Sequence, residues 1–374
     1  MLVFFKYYRQ NFYFEKAIRY DEIYFSSNDE LNDPLDLAFT PYFDDNEVVW
    51  NKLLQLKPIV ETWDLTHFLD TTSQELASEL NSIFKGSILE YQQTIKLLID
   101  SKKEELTRVF INHINNAMES GYTSIAKSEF SNFDTKVKAD ICILSLTGIL
   151  SRGWSKKFYS CSFSRNALEP KMWAHYADGF KGCVIIYASN EDSSIKLKPH
   201  FNSLEYIPYN FLEIQYSNIE KKISILEYML KNNIANSVLL TKNSFWSYED
   251  EYRLLLSEEF SSVQLSLVNQ MPTSSNKRIF HHLPQSIVGV IFGARCSKEY
   301  KDHVRSILGE KHSYIKPKES GFYSFDTELT TDGNVVIKSG SITRSMNKAT
   351  DQVFDETLEG DRLNKCLFKL GISS

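Results

Sequence analysis

Apolar residues recur along this chain with two different periods, and the periods separate strand-forming regions from helix-forming regions. Short apolar or alternating runs, typical of buried and half-buried strands, occupy residues 2–8, 22–26, 158–164, 183–187 and 286–292. From about residue 45 to 150, apolar side chains instead return every three or four positions, which predicts helices. We therefore expect an α+β fold in which a large helical insertion interrupts a β-rich core.

Further segments of the chain show a helical pattern, and one of them follows a loop that could bind a phosphate. Residues 223–240 read as an amphipathic helix, and residues 298–308 as a helix that begins after the N-cap Ser297. The strand–glycine–helix step at Gly293 is a geometry that can hold a phosphate, but it lacks a glycine-rich loop, which favours a structural role. The apolar run at 140–150 fits a helix or a strand.

The pattern changes character after about residue 315. Residues 332–341 read as a turn followed by a hairpin strand, and residues 361–370 as a short terminal helix. The expected organisation is one α+β domain over 1–315, with its helical insertion at about 45–150, and a small C-terminal hairpin-plus-helix module or extension over 316–374.

Composition narrows the class of protein. The 374 residues are 42% apolar and 24% charged, as in ordinary soluble globular proteins. A net charge of −6 argues against a general polyanion-binding surface, although a local basic groove remains compatible with it. The N-terminal apolar run is too short for a signal peptide, and no run has the length of a membrane helix.

The cysteines indicate a reducing compartment. They are odd in number and widely spaced, with no C-x-x-C pair: Cys142, Cys161, Cys183, Cys296 and Cys366. Neither a disulfide framework nor a zinc site is expected from this spacing. A cytoplasmic protein without contact to a membrane is the expectation.

The stretch with the densest charge pattern begins at Phe245 and reads FWSYEDEYRLLL. As a strand it would place Glu249, Glu251 and Arg253 on one face and Leu254 on the other, because strand side chains alternate. Three ionisable groups between apolar residues are costly to bury without a partner or a purpose. The alternative is a solvated edge strand with one weak ion pair.

A strand and a helix upstream carry further polar and aromatic groups. The strand at 158–164 places alternate serines, among them Ser162 and Ser164, on one face. Pro170 suits the first turn of the helix that follows. In that helix, Trp173 and Tyr176 share one face.

Four pieces of the chain together resemble a bacterial family, domain-of-unknown-function family 2971, which is related to abortive-infection phage-resistance proteins. They are Phe5-Lys6-Tyr7-Tyr8-Arg9, then Tyr24-Phe25-Ser26-Ser27 with Asn32-Asp33-Pro34, then Ser162-Phe163-Ser164 with Met172-Trp173-Ala174-His175-Tyr176-Ala177-Asp178, and finally Trp246-x-Tyr248-Glu249-x-Glu251-Tyr252-Arg253. The resemblance covers roughly residues 1–310. The tail from about 320 weakly resembles a small C-terminal module of other bacterial proteins.

The layout of these pieces looks like that of ADP-ribosyltransferases. The resemblance implies a core of two small packed sheets and NAD as the substrate. In that family a residue of the first strand anchors NAD, a place that Lys6, Tyr7 or Arg9 would fill here. A second strand and its aromatic helix would correspond to Ser162-x-Ser164 and Tyr176.

The third element of the resemblance is Glu249-x-Glu251, which would carry the chemistry. Breaking the nicotinamide–ribose bond builds an oxocarbenium-like cation, and a carboxylate beside it stabilises the transition state more than the ground state. Glu251 would take this role and hydrogen-bond a ribose hydroxyl. Glu249 would orient or deprotonate the acceptor, which is a protein or a nucleic acid.

The remaining candidate residues would bind NAD. Arg9 or Lys6 would hold the pyrophosphate, and Tyr176 or Trp173 would stack on the nicotinamide. Each aromatic is explained equally well as core. His175 belongs to the same helix but has no evident nucleophile partner, so a nucleophile–base pair is not supported.

The expected function is therefore an NAD-using transferase or glycohydrolase acting in phage defence. One alternative is a non-catalytic sensor or scaffold, which predicts that Glu249 and Glu251 form salt bridges with local arginines. A metal-dependent nuclease ranks last because no nuclease spacing is recognisable, and no metal is expected. It would need carboxylates to converge on Mg²⁺, drawn from Asp33, Asp36, Glu249 and Glu251.

Overall fold

The apolar runs of the sequence form strands, and the three- and four-residue repeats form helices. The structure, a computed structural model, describes residues 2–55, 65, 69, 71–89, 94–119, 133–153, 156–230, 234–259, 275–313, 322–341, 343–347, 353–357 and 360–372. Over these residues the chain has a mixed α+β fold, as the sequence predicted.

The strands and helices have the following bounds. The strands are β1 (Val3–Tyr8), β2 (Glu22–Tyr24), β3 (Thr40–Tyr42), β4 (Lys156–Ser164), β5 (Cys183–Ala188), β6 (Ser194–Lys198), β7 (Ile207–Asn210), β8 (Leu212–Glu213), β9 (Gln215–Tyr216), β10 (Lys222–Ser224), β11 (Thr241–Lys242), β12 (Glu251–Glu259), β13 (Ile279–His282), β14 (Ile287–Phe292), β15 (Phe322–Leu329), β16 (Val335–Ile337), β17 (Thr343–Asn347) and β18 (Val353–Thr357). The helices are α1 (Phe12–Tyr20), α2 (Glu47–Leu54), α3 (Ser73–Phe84), α4 (Ile95–Ser101), α5 (Lys103–Glu119), α6 (Thr135–Gly153), α7 (Pro170–Tyr176), α8 (Ile225–Leu230), α9 (Ile234–Leu239), α10 (Lys298–Ser313) and α11 (Gly360–Lys369).

One large sheet dominates the core. Within the described residues it has ten strands in the order β18-β17-β15-β14-β5-β1-β4-β12-β8, with β16 paired to β15. A second, four-stranded sheet has the order β2-β13-β6-β7. The expectation of two small sheets is corrected here, because the C-terminal strands add to the edge of β14 and enlarge the first sheet.

An aromatic layer packs the two sheets together. Phe4 of β1 stacks on Phe211 with ring centroids 3.8 Å apart, and Phe163 of β4 meets the same ring edge-on at 5.0 Å. Phe25 and Phe280, from the side of the second sheet, are buried in the same core. The strand alternation that buries Phe163 leaves its neighbouring serines on the opposite face of β4.

The described residues between 47 and 153 form helices α2 to α6, which pack around a second hydrophobic core. Trp50, Phe84, Phe110 and Leu146 are buried in that core. The run at 140–150, which fitted a helix or a strand, is helical. The core also includes residues from α8, so the insertion is attached to the rest of the chain by apolar packing.

The predicted amphipathic helix at 223–240 is wrong in part. Ile223 pairs in parallel with Pro41, which makes the first residues a short strand, β10. The Ser224 hydroxyl then accepts a hydrogen bond of 3.1 Å from the Glu227 amide and begins α8. Helix α9 follows at 234–239, and residues 231–233 lie outside the described residues.

The C-terminal strands extend the main sheet. Strand β15 lies parallel to β14 and is reached through α10, which begins after the Ser297 hydroxyl accepts a hydrogen bond from the Tyr300 amide at 3.2 Å. Helix α11 covers β1 and α7 through Cys366 and Leu370. A boundary at residue 315 stays a prediction. Among the described helices, none combines the length and apolar character needed to cross a membrane.

Gly293 provides a stability test of this packing. A Cβ at this position would lie 2.2 Å from the Phe180 carbonyl oxygen, so Gly293→Ala should lower the free energy of unfolding by about 1–3 kcal/mol. Gly309, inside α10, has nothing within 4 Å of its added Cβ, and Gly309→Ala should raise stability by about 0.5–1 kcal/mol. Urea unfolding measures both variants; equal effects would show that the close approach at Gly293 is unimportant.

Candidate functional site

A cavity lies between two strands of the main sheet, at a fork where the strands separate. Strand β1 pairs with β5 along its whole length but with β4 only at Phe5 and Ser164. Beyond that pair the strands diverge, and a cavity of about 850 Å³ lies between them. This volume falls in the range of roughly 300–1,000 Å³ that is usual for small-molecule sites.

The far end of the fork is closed by a loop. The Ser26 amide donates to the Ser160 carbonyl at 2.7 Å, and the Ser160 amide donates back to the Ser26 carbonyl at 2.9 Å. Ser26 thus takes the place beside β4 that β1 has left. The loop that starts here, residues 26–37, forms one wall of the cavity.

Most of the predicted site residues line this cavity. They are Lys6, Tyr7, Arg9, Ser162, Ser164, Tyr176, Glu249 and Glu251. Trp173 and His175 do not. Trp173 is fully buried and donates from its indole nitrogen to the Ala167 carbonyl at 2.9 Å, while His175 is exposed and contacts the Tyr248 hydroxyl at 3.2 Å.

The first-strand candidates are held by backbone acceptors. Lys6 Nζ bridges the fork and donates to the Ser162 carbonyl at 2.9 Å. Arg9 donates to the His175 carbonyl at 3.0 Å, and the Tyr7 hydroxyl donates to the Asn166 carbonyl at 2.8 Å. Both cations therefore stand at the cavity wall without a carboxylate partner in these contacts.

Glu249 is not on the strand where the sequence pattern placed it. Residues 244–249 form a 3₁₀ turn whose first amides are capped by the Asn243 side chain, which accepts from the Phe245 amide at 2.9 Å. Asp250 then adopts a left-handed conformation with φ 43°, and β12 begins at Glu251. The prediction of one shared strand face is therefore wrong for Glu249, although it holds for Glu251 and Arg253.

A buried ammonium brings the two glutamates together instead. Lys242 Nζ donates to Glu249 Oε2 at 2.5 Å and to Glu251 Oε2 at 2.9 Å, and it lies 3.5 Å from Asp36 Oδ2. Arg253 donates to Glu251 Oε1 at 2.6 Å and to Asp36 Oδ2 at 2.6 Å. We call these five side chains the charged cluster.

The charged cluster is almost completely removed from water, with relative exposures of 0% for Arg253, 2% for Glu251 and 6% for Lys242. Buried charges persist only when they are paired and hydrogen-bonded. Three carboxylates against two cations leave one net negative charge in the cluster. That surplus lies at the cavity wall, because Asp36, Glu249 and Glu251 all line it.

The two glutamates differ in acidity. Burial alone would raise the pKa of Glu251, but the charges of Arg253 and Lys242 and the hydrogen bonds from Arg253 and Ser162 outweigh it and lower the pKa to about 2. For Glu249 the loss of solvent on burial prevails over the attraction of Lys242, and its pKa is raised. Paired carboxyl groups whose environments push their pKa values apart are typical of acid–base sites.

Tyr176 connects Glu249 to the loop at 26–37. Its hydroxyl donates to Glu249 Oε1 at 2.6 Å. Burial, and then the neighbouring Glu249 charge, raise the pKa of Tyr176, while a hydrogen bond with Asn32 lowers it. The phenol therefore stays protonated and remains a donor to Glu249.

The serines of β4 have different partners. The Ser162 hydroxyl hydrogen-bonds Glu251 and thereby helps to lower its pKa. The Ser164 hydroxyl is occupied within its own turn, since it donates to the Asn166 carbonyl at 3.0 Å and accepts from the Asn166 amide at 2.9 Å. Only Ser162 therefore acts on a glutamate.

A second ion pair anchors the start of the loop. Arg278 donates to both oxygens of Glu30, at 2.7 and 3.1 Å, and the Tyr24 hydroxyl donates to Glu30 at 2.7 Å. Burial tends to raise the pKa of Glu30, but these hydrogen bonds lower it to about 2. The loop is thus tied to the second sheet at Glu30 and to the charged cluster at Asp36.

Lys242, Asp36 and Asn32 were missed as functional candidates. The sequence pattern suggests Asp36 only as a ligand of a nuclease metal, and no local signal singles out Lys242. The ammonium of Lys242 lies among Asp36, Glu249 and Glu251, three of the four carboxylates considered as Mg²⁺ ligands of a nuclease. Among the described residues, no group of three or more His, Cys, Asp or Glu side chains could hold a metal ion.

Comparison with known proteins identifies one related family. Residues 172–254 match the model of a family described as a protein of unknown function, DUF2971. The matched segment contains Tyr176, Lys242 and both glutamates, so it supports the expected relation over these residues. No curated protein and no solved structure gives a significant match.

Replacing Lys242 tests how far the charged cluster holds the fold together. Lys242→Met leaves three carboxylates facing one arginine, so we expect a loss of about 3–5 kcal/mol in the free energy of unfolding at neutral pH. The contribution of Glu251 is present above its ordinary pKa of 4.5 and is lost as the pH falls toward about 2, so the difference between variant and native protein should shrink in acid.

Urea unfolding at several pH values measures this difference. Lys196→Met is the matched control, because Lys196 is exposed on β6 and its replacement should change stability by at most about 0.5 kcal/mol. A Lys242→Met loss no larger than that of the control would mean that the cluster contributes little.

Proposed function

We propose that this protein binds NAD in the fork cavity and cleaves its nicotinamide–ribose bond, either as an ADP-ribosyltransferase or as an NAD glycohydrolase. The observation that carries the proposal is the convergence of three separated sequence elements on one cavity. The first element supplies Lys6 and Arg9, the second Ser162 and Tyr176, and the third the two glutamates, and all of them line the cavity. These elements occur in the same order as in the ADP-ribosyltransferases that the sequence resembles.

The different pKa values of the two glutamates suit two different catalytic roles. Glu251, whose pKa is about 2, is ionised at neutral pH and is held rigidly by Arg253 and Lys242. A fixed carboxylate beside the ribose would stabilise the positive charge that develops as nicotinamide leaves. Because it is already oriented, it loses little free energy to reorganisation during the reaction.

Glu249 suits proton transfer. The pKa of Glu249 is raised from its ordinary value toward neutral pH, and a general base is most effective when its pKa lies near the working pH. Oε1 faces Tyr176 and Oε2 faces Lys242, so the carboxylate is oriented from both sides. In this role it accepts the proton of the water or the acceptor group that attacks the ribose carbon.

Cationic and aromatic side chains would bind the rest of NAD. Lys6 and Arg9 lie on the β1 wall and supply positive charge for the pyrophosphate. Tyr176 presents an aromatic ring beside Glu249 for the nicotinamide. The net negative charge of the cluster would further favour the cationic pyridinium ring of NAD.

The biological setting of the proposal rests on the family resemblance. On that basis we propose a reaction in the bacterial cytoplasm, in abortive-infection defence against phage, with a protein or a nucleic acid as the ADP-ribose acceptor. The enzyme needs no metal in this scheme, because proton transfer and charge stabilisation come from side chains.

One observation favours a second function. Glu251 forms buried ion pairs with Arg253 and Lys242, and Glu249 forms one with Lys242. Salt bridges of both glutamates with arginines were expected of a non-catalytic sensor or scaffold, and the pair of Glu251 with Arg253 fits that expectation. In that case the charged cluster would serve stability alone. The two functions differ in whether the protein releases nicotinamide from NAD.

Glu251→Gln tests the proposed catalytic role. The amide keeps the shape but loses the charge, so the rate of nicotinamide release should fall by about 10²–10³-fold. Glu213→Gln is the matched control, because Glu213 lies on β8 beside β12 and does not line the cavity. Circular dichroism establishes that both variants are folded. Unchanged turnover in Glu251→Gln would remove Glu251 from the mechanism, and absence of turnover in the native protein would favour the scaffold.

The pH dependence tests Glu249 separately. A general base works in its ionised form, so kcat/KM for nicotinamide release should rise as the pH increases through the raised pKa of Glu249 and then level off. Glu249→Gln should remove this acidic limb as well as lower the rate. A native profile that is flat from pH 4 upward would exclude Glu249 as the base.

A further inference from the structure

A serine on the cavity wall has no function in the site described so far. Ser160 lies on β4, two residues before Ser162, and is only 1% exposed. Among the described residues its hydroxyl has no hydrogen-bond partner. A buried hydroxyl without a partner destabilises the folded state, so such groups are rare in folded proteins and call for an explanation.

The backbone of Ser160 leaves only this hydroxyl free for a ligand. Its amide and carbonyl are bonded to Ser26 on one side, and its neighbour across the strand pair is Leu255 of β12. Tyr159 and Cys161 point into the core between the sheets, so strand alternation places the Ser160 side chain on the other face. That face carries Ser162, whose hydroxyl reaches Glu251.

The surroundings define what the hydroxyl can bind. Ser160 and Asp36 both line the cavity, and Arg253, paired across the strands with Ser162, holds the Asp36 carboxylate. With one net negative charge in the cluster, an anionic ligand group is disfavoured at this wall. An uncharged alcohol suits this wall, because it can accept a hydrogen bond from the Ser160 hydroxyl or donate one to it.

We infer that Ser160 is a substrate-binding residue whose hydroxyl hydrogen-bonds a ribose hydroxyl of the ligand in the cavity. The inference rests on the proposed function, since it takes the ligand to be a ribose-bearing dinucleotide. The unpaired hydroxyl then gains its hydrogen bond only when the ligand enters. The hydrogen bond that this hydroxyl lacks in the free protein therefore contributes to the free energy of ligand binding.

This role has a signature that a structural serine cannot produce. Ser160→Ala removes an unpaired hydroxyl from the free protein, so its thermal midpoint should rise by about 1–3 °C. The same change removes a hydrogen bond from the complex, so ADP-ribose should bind about three- to tenfold more weakly. A structural serine would change stability in the opposite direction.

Ser324→Ala is the matched control. Ser324 is fully buried on β15 of the same sheet, but its hydroxyl accepts from Arg305 Nε at 2.9 Å and it does not line the cavity. Its replacement should lower the thermal midpoint and leave ADP-ribose affinity unchanged. Isothermal titration calorimetry with ADP-ribose and NAD, and thermal unfolding without ligand, measure both effects.

The outcomes separate this inference from the proposed function. Native binding of ADP-ribose that Ser160→Ala leaves unchanged, or a Ser160→Ala midpoint below the native one, overturns the role of Ser160 alone. Binding that weakens in Ser160→Ala while NAD yields no nicotinamide supports the role and overturns the proposed reaction. Failure of the native protein to bind either nucleotide overturns both.

Discussion

The rest of the site depends on the pairing of five buried charges. Asp36 comes from a loop, Lys242 from β11, Glu249 from a 3₁₀ turn, and Glu251 with Arg253 from β12. Burying any one of these charges without its partners would destabilise the fold. The folded state is therefore stable only when all of these segments meet with the correct geometry. The same contacts position the loop at 26–37, orient both glutamates and set their different acidities.

The shape of the main sheet places the charged cluster beside a cavity. Strand β1 stays with β5 and leaves β4, so a fork opens inside the sheet, which would otherwise be continuous. The loop closes the fork at Ser26 and Ser160, and aromatic packing between the sheets keeps the divergent strands in place. The helical insertion and the C-terminal strands pack elsewhere, around their own apolar cores or on the opposite edge.

The cluster serves stability and the proposed chemistry by the same contacts. Arg253 and Lys242 keep Glu251 ionised, which a cation-stabilising carboxylate requires, but they also neutralise part of its field. Burial raises the pKa of Glu249 and the neighbouring Glu251 charge adds to this effect, and the attraction of Lys242 does not offset them. Ser160 takes no part in these ion pairs, and its hydroxyl has no hydrogen-bond partner among the described residues, so a ligand could bind it without breaking an ion pair.

Local patterns along the sequence determined most of the elements. Continuous apolar runs predicted β1, β5 and β14, and an alternating run predicted β4; the Ser-x-Ser and Glu-x-Glu spacings marked residues that line one cavity. Which residues pair with each other in the charged cluster was decided by the tertiary structure alone. Lys242 is seven residues from Glu249 and Asp36 is more than two hundred from Arg253, and a sequence pattern carries no record of such pairings. The 3₁₀ turn that removes Glu249 from the strand, the burial of Trp173 and the unpaired Ser160 hydroxyl likewise follow from long-range packing, because burial and hydrogen-bond satisfaction are properties of the folded surroundings.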